Sequence, residues 1–262
     1  GVAAINAKGV TIHSFFQMPF GPILPNQIAH TSNQQRRFSR AKIDIIKSLD
    51  LVVIDEISMV RADVLDGIDQ VLRRYKNKHK VFGGVQILMI GDLQQLAPVV
   101  KPNEWSLLKE HYNTVYFFSS KAYQSASVIS IELQHIYRQK NADFIKILNE
   151  IRNDQLSETS AAILNKRYQP MFSPHKDEGY ITLTTHNKRA SLINDSELNT
   201  LTTKNHIFNA EVSGKFNENA FPNDERLALK VGAQVMFIKN DSSPEKRYYN
   251  GKIGIITAIS RD

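Results

Sequence analysis

The stretch Leu51-Val-Val-Ile-Asp-Glu56 decides the fold of this chain, together with a second, largely apolar run that begins at Gln86 and ends in Gly91-Asp92. Each run has the length of a strand. Continuous apolar runs are typical of parallel strands that are covered on both faces. Between them, apolar residues at helical spacing predict one buried helix face: Val64, Leu65, Ile68, Val71, Leu72 and Tyr75. The order strand, helix, strand predicts an α/β fold with a parallel sheet.

Acidic and amide side chains follow both predicted strands. Asp55 and Glu56 come directly after the first, and Asp92 and Gln95 lie in the Gly91–Val99 stretch after the second. Ligands of open parallel sheets bind beyond the carboxyl ends of the strands. We therefore expect these four side chains to face one crevice.

The chemistry of such a crevice suits a nucleoside triphosphate. Magnesium bound to phosphate needs a hard carboxylate ligand, and Asp55 is suited to this role. Glu56 could orient and deprotonate an attacking water, and the amide of Gln95 could sense the terminal phosphate. The alternative is that Asp55 and Glu56 only cap a helix. The second acid–amide group, one strand–helix unit later, favours the functional interpretation.

The amino-acid composition limits the classes of protein to which the chain can belong. The 262 residues are 42% hydrophobic and 23% charged, which allows one large or two ordinary domains. The formal charge of +7 and the pI near 9.4 fit an anionic partner. The absence of cysteine excludes disulfides and thiolate metal sites. No apolar run approaches the roughly 20 residues that span a bilayer.

Helix signals are clear at several points. Thr11 begins a predicted helix that continues to Phe16, and Ser39 is a predicted N-cap of a helix that extends to Asp50. Asn141 is predicted to cap another helix, and a further helix is predicted over 157–168. A helix containing Ala190, Ile193 and Leu198 is predicted in the last third of the chain.

Strand signals are weaker after Val100. Apolar runs predict strands at 115–118, 128–133 and 180–184. The segment 205–229 is polar and is predicted to be irregular. Two short strands are predicted within 232–256, and Asn250-Gly251 is a strong turn signal. Residues 2–5 are predicted to end a buried strand.

Five motifs together resemble the Pif/RecD-like group of superfamily 1 DNA helicases, and the resemblance covers nearly the whole chain. They occur in family order: Gly9-Val-Thr-Ile-His13-Ser-Phe-Phe16, Ile54-Asp-Glu-Ile-Ser-Met59, Gly91-Asp92 with Gln95-Leu-Ala-Pro98, Leu133 with Tyr137-Arg138-Gln139, and Thr185-His-Asn-Lys188 with the later Gly232-Ala-Gln-Val-Met236 and Asn250-Gly251.

The resemblance implies a RecA-like P-loop NTPase lobe with helices on both faces of its sheet, over residues 1–152, with 17–40 as a small surface insertion. An incomplete second RecA-like lobe would cover 153–262. It implies ATP-driven 5′→3′ translocation on single-stranded DNA and duplex unwinding, in DNA repair, recombination or replication. The implied ligands are ATP and Mg²⁺, and the implied partners are single-stranded DNA and duplex junctions, with no membrane. A monomer is expected, cytoplasmic in a bacterium, or nuclear or mitochondrial in a eukaryote.

The resemblance also assigns residues. Asp55 corresponds to the magnesium-binding acid, Glu56 to the catalytic base and Asp92 to a nucleotide-site acid. Gln95 corresponds to the residue that couples nucleotide to DNA, and Arg138 to an arginine finger. The implied nucleic-acid contacts are Thr11, His13, Pro98, Thr184, Asn187 and Lys188.

Alternative interpretations of some of these residues remain open. Arg138 could form an ordinary ion pair, and His13 could be a core histidine. Thr184, Asn187 and Lys188 could simply begin a helix with a solvated lysine.

Two features depart from the family. No Gly-x-x-x-x-Gly-Lys-Ser/Thr loop is present, since the Gly-Lys pairs at 214 and 251 lack the hydroxyl residue and the earlier glycine. The last family motifs are also absent. We therefore expect an internal fragment that is inactive alone, although a natural protein that lost its phosphate loop is also consistent. Two other function classes remain: a nucleic-acid binding module without ATPase activity, and an NTPase that moves no nucleic acid.

Overall fold

A computed structural model describes residues 9–19, 21–25, 38–137, 139–173, 178–211, 223–241, 243, 245 and 247–260. The chain divides into two compact units, with the division between Arg167 and Tyr168. This division comes later than the lobe boundary expected after residue 152, because the helices at 142–152 and 158–165 belong to the first unit. The expected lobe boundary stays a prediction. The strand predicted at 2–5 lies outside the described residues.

The first unit is built around a parallel pair of strands. Its helices and strands are, in order, α1 (Ile12–Phe15), α2 (Arg40–Ser48), β1 (Leu51–Ile54), α3 (Ala62–Tyr75), β2 (Gln86–Met89), α4 (Pro102–Leu108), α5 (Lys121–Ser125), α6 (Ala142–Arg152) and α7 (Glu158–Asn165). Leu51 lies opposite Gln86 and Ile54 opposite Met89 in a parallel register. The predicted strand–helix–strand unit is confirmed.

Helix α3 supplies the centre of the core. Leu65, Ile68 and Leu72 are completely buried, and the predicted apolar face is the one that packs inward. Met18 and Ile23 are buried in the same core. Two side chains within the predicted surface insertion at 17–40 thus contribute to the core, although Gln17 and Pro19 are exposed. Most of the remaining insertion lies outside the described residues, and the insertion stays a prediction. The apolar side chains of Met18 and Ile23 pack against the core because burial removes their surface from water, which a solvated loop would not do.

Three buried carboxylates on α3 fasten surrounding loops to this helix. Asp63, Asp66 and Asp69 recur every third position, and each accepts a hydrogen bond from a backbone amide far away in sequence. The donors are Ile23 N to Asp63 Oδ2 (2.8 Å), Ala122 N to Asp66 Oδ1 (2.9 Å) and Phe82 N to Asp69 Oδ1. Because buried amides need acceptors, these acids position two loop segments and the start of helix α5 around α3.

The predicted helix starts are confirmed where a side chain can cap the first turn. Ser39 Oγ accepts from Lys42 N at 3.3 Å, and Asn141 Oδ1 accepts from Phe144 N at 2.8 Å. Thr11 and Ser157 cap α1 and α7 in the same way.

Two predicted strands of the first unit are wrong. Residues Phe117–Ser119 form a 3₁₀ turn, and 128–133 contain no regular structure. The side chains of Ile129, Ile131 and Leu133 are each at least 80% exposed there. A strand requires a hydrogen-bonded neighbour, and no described residue pairs with this segment. An apolar run alone does not provide one.

The second unit contains α8 (Asn187–Thr200) and four strands, β3 (Asn205–Asn209), β4 (Arg226–Lys230), β5 (Gln234–Met236) and β6 (Ile253–Ile255). The strands form two antiparallel pairs, β3 with β4 and β5 with β6. The short strands within 232–256 and the turn at Gly251 (φ 93°) are confirmed. The predicted strand at 180–184 is wrong. The irregular structure predicted at 205–229 is wrong at its two ends, where 205–209 pair with 226–230, and 212–222 lie outside the described residues.

Across the described ranges, no helix has the combination of length and apolarity that crossing a bilayer requires.

Candidate functional site

Backbone hydrogen bonds hold the exits of β1 and β2 side by side. Ile90 N donates to Ile54 O at 2.9 Å, and Ile57 N donates back to Ile90 O at 2.9 Å. The parallel ladder therefore continues one step past the strands on each side. As predicted, the Asp55-Glu56 and Gly91-Asp92 segments lie next to each other at the carboxyl ends of the strands.

Gly91 makes this close approach possible. A Cβ atom at this position would lie 2.9 Å from Ile57 Cγ2 and 3.0 Å from Ile57 N. Any side chain would push the two exits apart, so glycine is required before Asp92 for a steric reason. The Gly-Asp pair in the sequence is the local signal of this contact.

Asp55 and Glu56 are both exposed at the surface. Glu56 N donates to Asp55 Oδ1 at 2.9 Å, and Glu56 adopts a left-handed conformation with φ 54°. This conformation costs a non-glycine residue about 1–2 kcal/mol and must be imposed by the surrounding structure. Glu56 precedes the 3₁₀ turn Ile57–Met59, but its side chain makes no capping bond among the described residues. In the described contacts the exposed Glu56 carboxylate is therefore not a capping acid and is accessible to a ligand.

Asp92 is the centre of the second group. Its Oδ1 accepts from Gln94 N at 3.0 Å, and its Oδ2 accepts from Gln95 Nε2 at 3.3 Å. The same Oδ2 accepts from Arg152 Nη2 at 2.8 Å. The backbone donor at Gln94 lowers the pKa of Asp92 most, against a partial burial that raises it, with Gln95 and Arg152 adding to the lowering. Asp92 is therefore ionised at neutral pH.

Sequence reasoning missed Arg152. It is the last residue of α6, and it reaches Asp92 across 60 positions of sequence. A basic residue in the last turn of a helix is common because it interacts favourably with the helix dipole. Nothing local in the sequence distinguishes Arg152 from such a residue.

The nucleic-acid candidates of the first unit are in different environments. Thr11 is exposed, but its hydroxyl accepts from Ser14 N at 3.3 Å. His13 is partly buried. Burial lowers the pKa of His13 most, the charge of Arg61 lowers it further, and Asp63 opposes them. Its imidazole is thus neutral at pH 7, so it could contact a phosphate through a hydrogen bond but not through a positive charge. Pro98 is buried and offers little surface.

The candidates of the second unit lie at the start of α8. Asn187 and Lys188 are exposed in its first turn, and Thr184 is partly buried, with its hydroxyl accepting from His186 N at 3.4 Å. This geometry fits both a phosphate contact and an ordinary helix start, so both interpretations stay open. Arg138 lies outside the described residues, and its role stays a prediction.

The carboxylates do not form a complete metal cage. Among the described residues, no group of three or more His, Cys, Asp or Glu side chains is arranged to hold a metal ion. Magnesium usually keeps several waters and binds through one or two carboxylates plus substrate phosphates. The exposed Asp55 carboxylate fits that mode, whereas a metal held by protein alone does not fit.

The parallel strands, the crossover helix and the acids beyond both strand ends define an α/β protein of the RecA-like class. A family model described as PIF1-like helicase matches residues 1–162, and the chain belongs to this family.

The chain is similar to curated helicases along almost its whole length. It is 32% identical to the ATP-dependent DNA helicase PIF1 of Saccharomyces cerevisiae, over 97% of this chain and 29% of the relative. It is 30% identical to the ATP-dependent DNA helicase Pif1 of Campylobacter jejuni, over 98% of this chain and 58% of the relative. The chain thus spans less than two thirds of either relative.

Solved structures agree. The structure of Bacteroides Pif1 bound to single-stranded DNA matches with a TM-score of 0.81 and 39% identity, over 99% of this chain and 58% of the other. A Bacteroides Pif1 complex with ADP-AlF3 and single-stranded DNA matches with a TM-score of 0.79 and 40% identity, over 100% and 59%. The RecA-like fold is therefore shared with this family.

Proposed function

We propose that this chain is part of an ATP-dependent DNA helicase that translocates 5′→3′ on single-stranded DNA. The observation that carries the proposal is the pairing of two strand exits that place Asp55 and Glu56 beside Asp92. The similarity to ATP-dependent DNA helicases, and to Bacteroides Pif1 in complex with ADP-AlF3 and single-stranded DNA, supports the same activity.

In this proposal each residue has a separate role. Asp55 would hold Mg²⁺ directly or through water, and Glu56 would take a proton from the attacking water. Gln95 would respond to the terminal phosphate. Arg138 would stabilise the negative charge that develops on the transferred phosphoryl group, because its planar guanidinium can donate to two phosphate oxygens at once.

The binding surface for DNA would be electrostatic and without sequence preference. The excess of Lys and Arg over Asp and Glu, 33 against 26, favours contact with phosphates. The proposed contacts are Thr11 and His13 in the first unit and Thr184, Asn187 and Lys188 in the second. The buried Pro98 would shape the backbone after Gln95 and would not itself contact DNA.

The test is an ATPase assay on a full-length form of the protein that carries a phosphate loop, with and without single-stranded DNA. Stimulation of hydrolysis by DNA, with an affinity for DNA that falls steeply as salt rises, supports the proposal. DNA binding without hydrolysis would point to a binding module. Hydrolysis that DNA does not change would point to an NTPase that moves no nucleic acid.

A further inference from the structure

Arg152 joins helix α6 to the turn that carries Gln95. Its Nη2 lies 2.8 Å from Asp92 Oδ2, and the same oxygen accepts from Gln95 Nε2 at 3.3 Å. The other carboxylate oxygen, Oδ1, accepts from Gln94 N. Three donors thus converge on one carboxylate, and only Arg152 comes from another secondary-structure element.

This ion pair is poorly placed to stabilise the fold. The Arg152 side chain is 48% exposed and that of Asp92 22% exposed. Ion pairs at such positions contribute little to folding, because water screens them and two side chains lose freedom. The charge-assisted bond is nevertheless directional, so it fixes where the Asp92 carboxylate lies.

We propose that Arg152 is a positioning residue that acts on Gln95 through Asp92. This inference rests on the proposed function, in which Gln95 responds to the terminal phosphate. Asp92 holds the Gln95 amide while no phosphate is present. When the amide turns towards phosphate, Arg152 keeps the Asp92 carboxylate paired, so that its negative charge does not face another anion alone.

The other end of α6 begins shortly after Arg138 in the sequence. Gln139 Oε1 accepts from Lys140 N at 2.9 Å and from Asn141 N at 3.1 Å, and Asn141 caps α6. The 11 residues of α6 span about 16 Å. One helix therefore connects the turn of Gln95 with the residues next to Arg138, and Arg152 is the attachment at the Gln95 end.

The experiment measures DNA-stimulated ATP hydrolysis by the full-length form with Arg152→Gln and Arg152→Lys. Arg152→Gln should lower kcat about three- to tenfold and leave the Kd for single-stranded DNA and the Tm unchanged. Arg152→Lys should recover part of the loss, because it keeps the charge but not the planar fork. The matched control is Lys146→Gln, which removes an exposed i,i+4 partner of Glu150 from the same helix and should change nothing.

A double-mutant cycle with Gln95→Ala tests the route of the effect. If Arg152 acts through Gln95, Arg152→Gln should add nothing in the Gln95→Ala background. The inference would be overturned if the two substitutions lowered kcat independently, so that their effects multiply, or if Arg152→Gln kept the wild-type kcat. In either case, DNA-stimulated hydrolysis by the unmutated protein would still support the proposed function. An unmutated full-length form without that stimulation would overturn both.

Discussion

The acids of α3 and the acids at the strand exits use the same functional group for opposite purposes. Asp63, Asp66 and Asp69 are 1%, 7% and 8% exposed, and backbone amides occupy their oxygens. Asp55 and Glu56 are exposed, and the described contacts leave the Glu56 side chain without a capping role. The comparison teaches that an acid's partners, rather than its position beside an apolar run, decide whether it holds the fold or awaits a ligand.

The largest effect should come from Glu56→Gln in the full-length form. An amide cannot take the proton of the attacking water, so the rate of ATP hydrolysis should fall about 10²–10⁴-fold. The Tm should stay within about 2 °C, because an exposed side chain contributes little to stability. Steady-state phosphate release and thermal unfolding measure the two quantities.

Glu110→Gln is the matched control, since Glu110 is also an exposed acid of the first unit. It should leave hydrolysis unchanged. Wild-type turnover in Glu56→Gln would show that Glu56 is not the catalytic base, and the acids at the strand exits would then have no demonstrated functional role.

The next effect should come from Asp66→Asn, measured on this 262-residue chain. Asp66 accepts from Tyr112 Oη at 2.9 Å and from the amides of Lys121 and Ala122. An amide group would point a donor at one of these donors, which should lower the free energy of unfolding by about 2–4 kcal/mol. Urea unfolding followed by the fluorescence of Trp105, the single tryptophan, reports this directly, because Trp105 packs in the cluster that contains Tyr112.

Asp44→Asn provides the surface comparison, because Asp44 is exposed on α2. Its free energy of unfolding should change by less than about 0.5 kcal/mol. Equal effects of the two substitutions would mean that the buried acids of α3 do not fasten the loops.

The smallest effect should come from Tyr112→Phe, which should lower the free energy of unfolding by about 1 kcal/mol. Burial raises the pKa of Tyr112, and the nearby charge of Asp66 and their hydrogen bond raise it further. In the unfolded chain the tyrosine has a pKa of about 10, and above that pH it ionises more readily than in the folded state. The stability that Tyr112 contributes is therefore fully present below about pH 10 and is lost as the pH rises towards the folded-state pKa. The stability difference between wild type and Tyr112→Phe should therefore shrink above pH 10 in the urea assay; a constant difference would contradict this linkage.

Local pattern determined much of the first unit. The apolar runs and the helical spacing between them predicted β1, α3 and β2, because parallel strands buried on both faces tolerate few polar residues. Capping residues predicted α2 and α6 because a single side chain satisfies the first free amides of a helix. The same reasoning failed at 128–133 and 180–184, since an apolar run does not show whether a neighbouring strand exists.

The candidate site shows the same division. The sequence by itself determined that Asp55, Glu56, Asp92 and Gln95 follow two strands of one parallel sheet, because strand direction fixes where strand ends meet. Only the tertiary structure decided that Glu56 adopts a left-handed conformation and that Arg152 reaches Asp92 from the end of α6. Both depend on packing between segments far apart in sequence, and no local periodicity records such contacts.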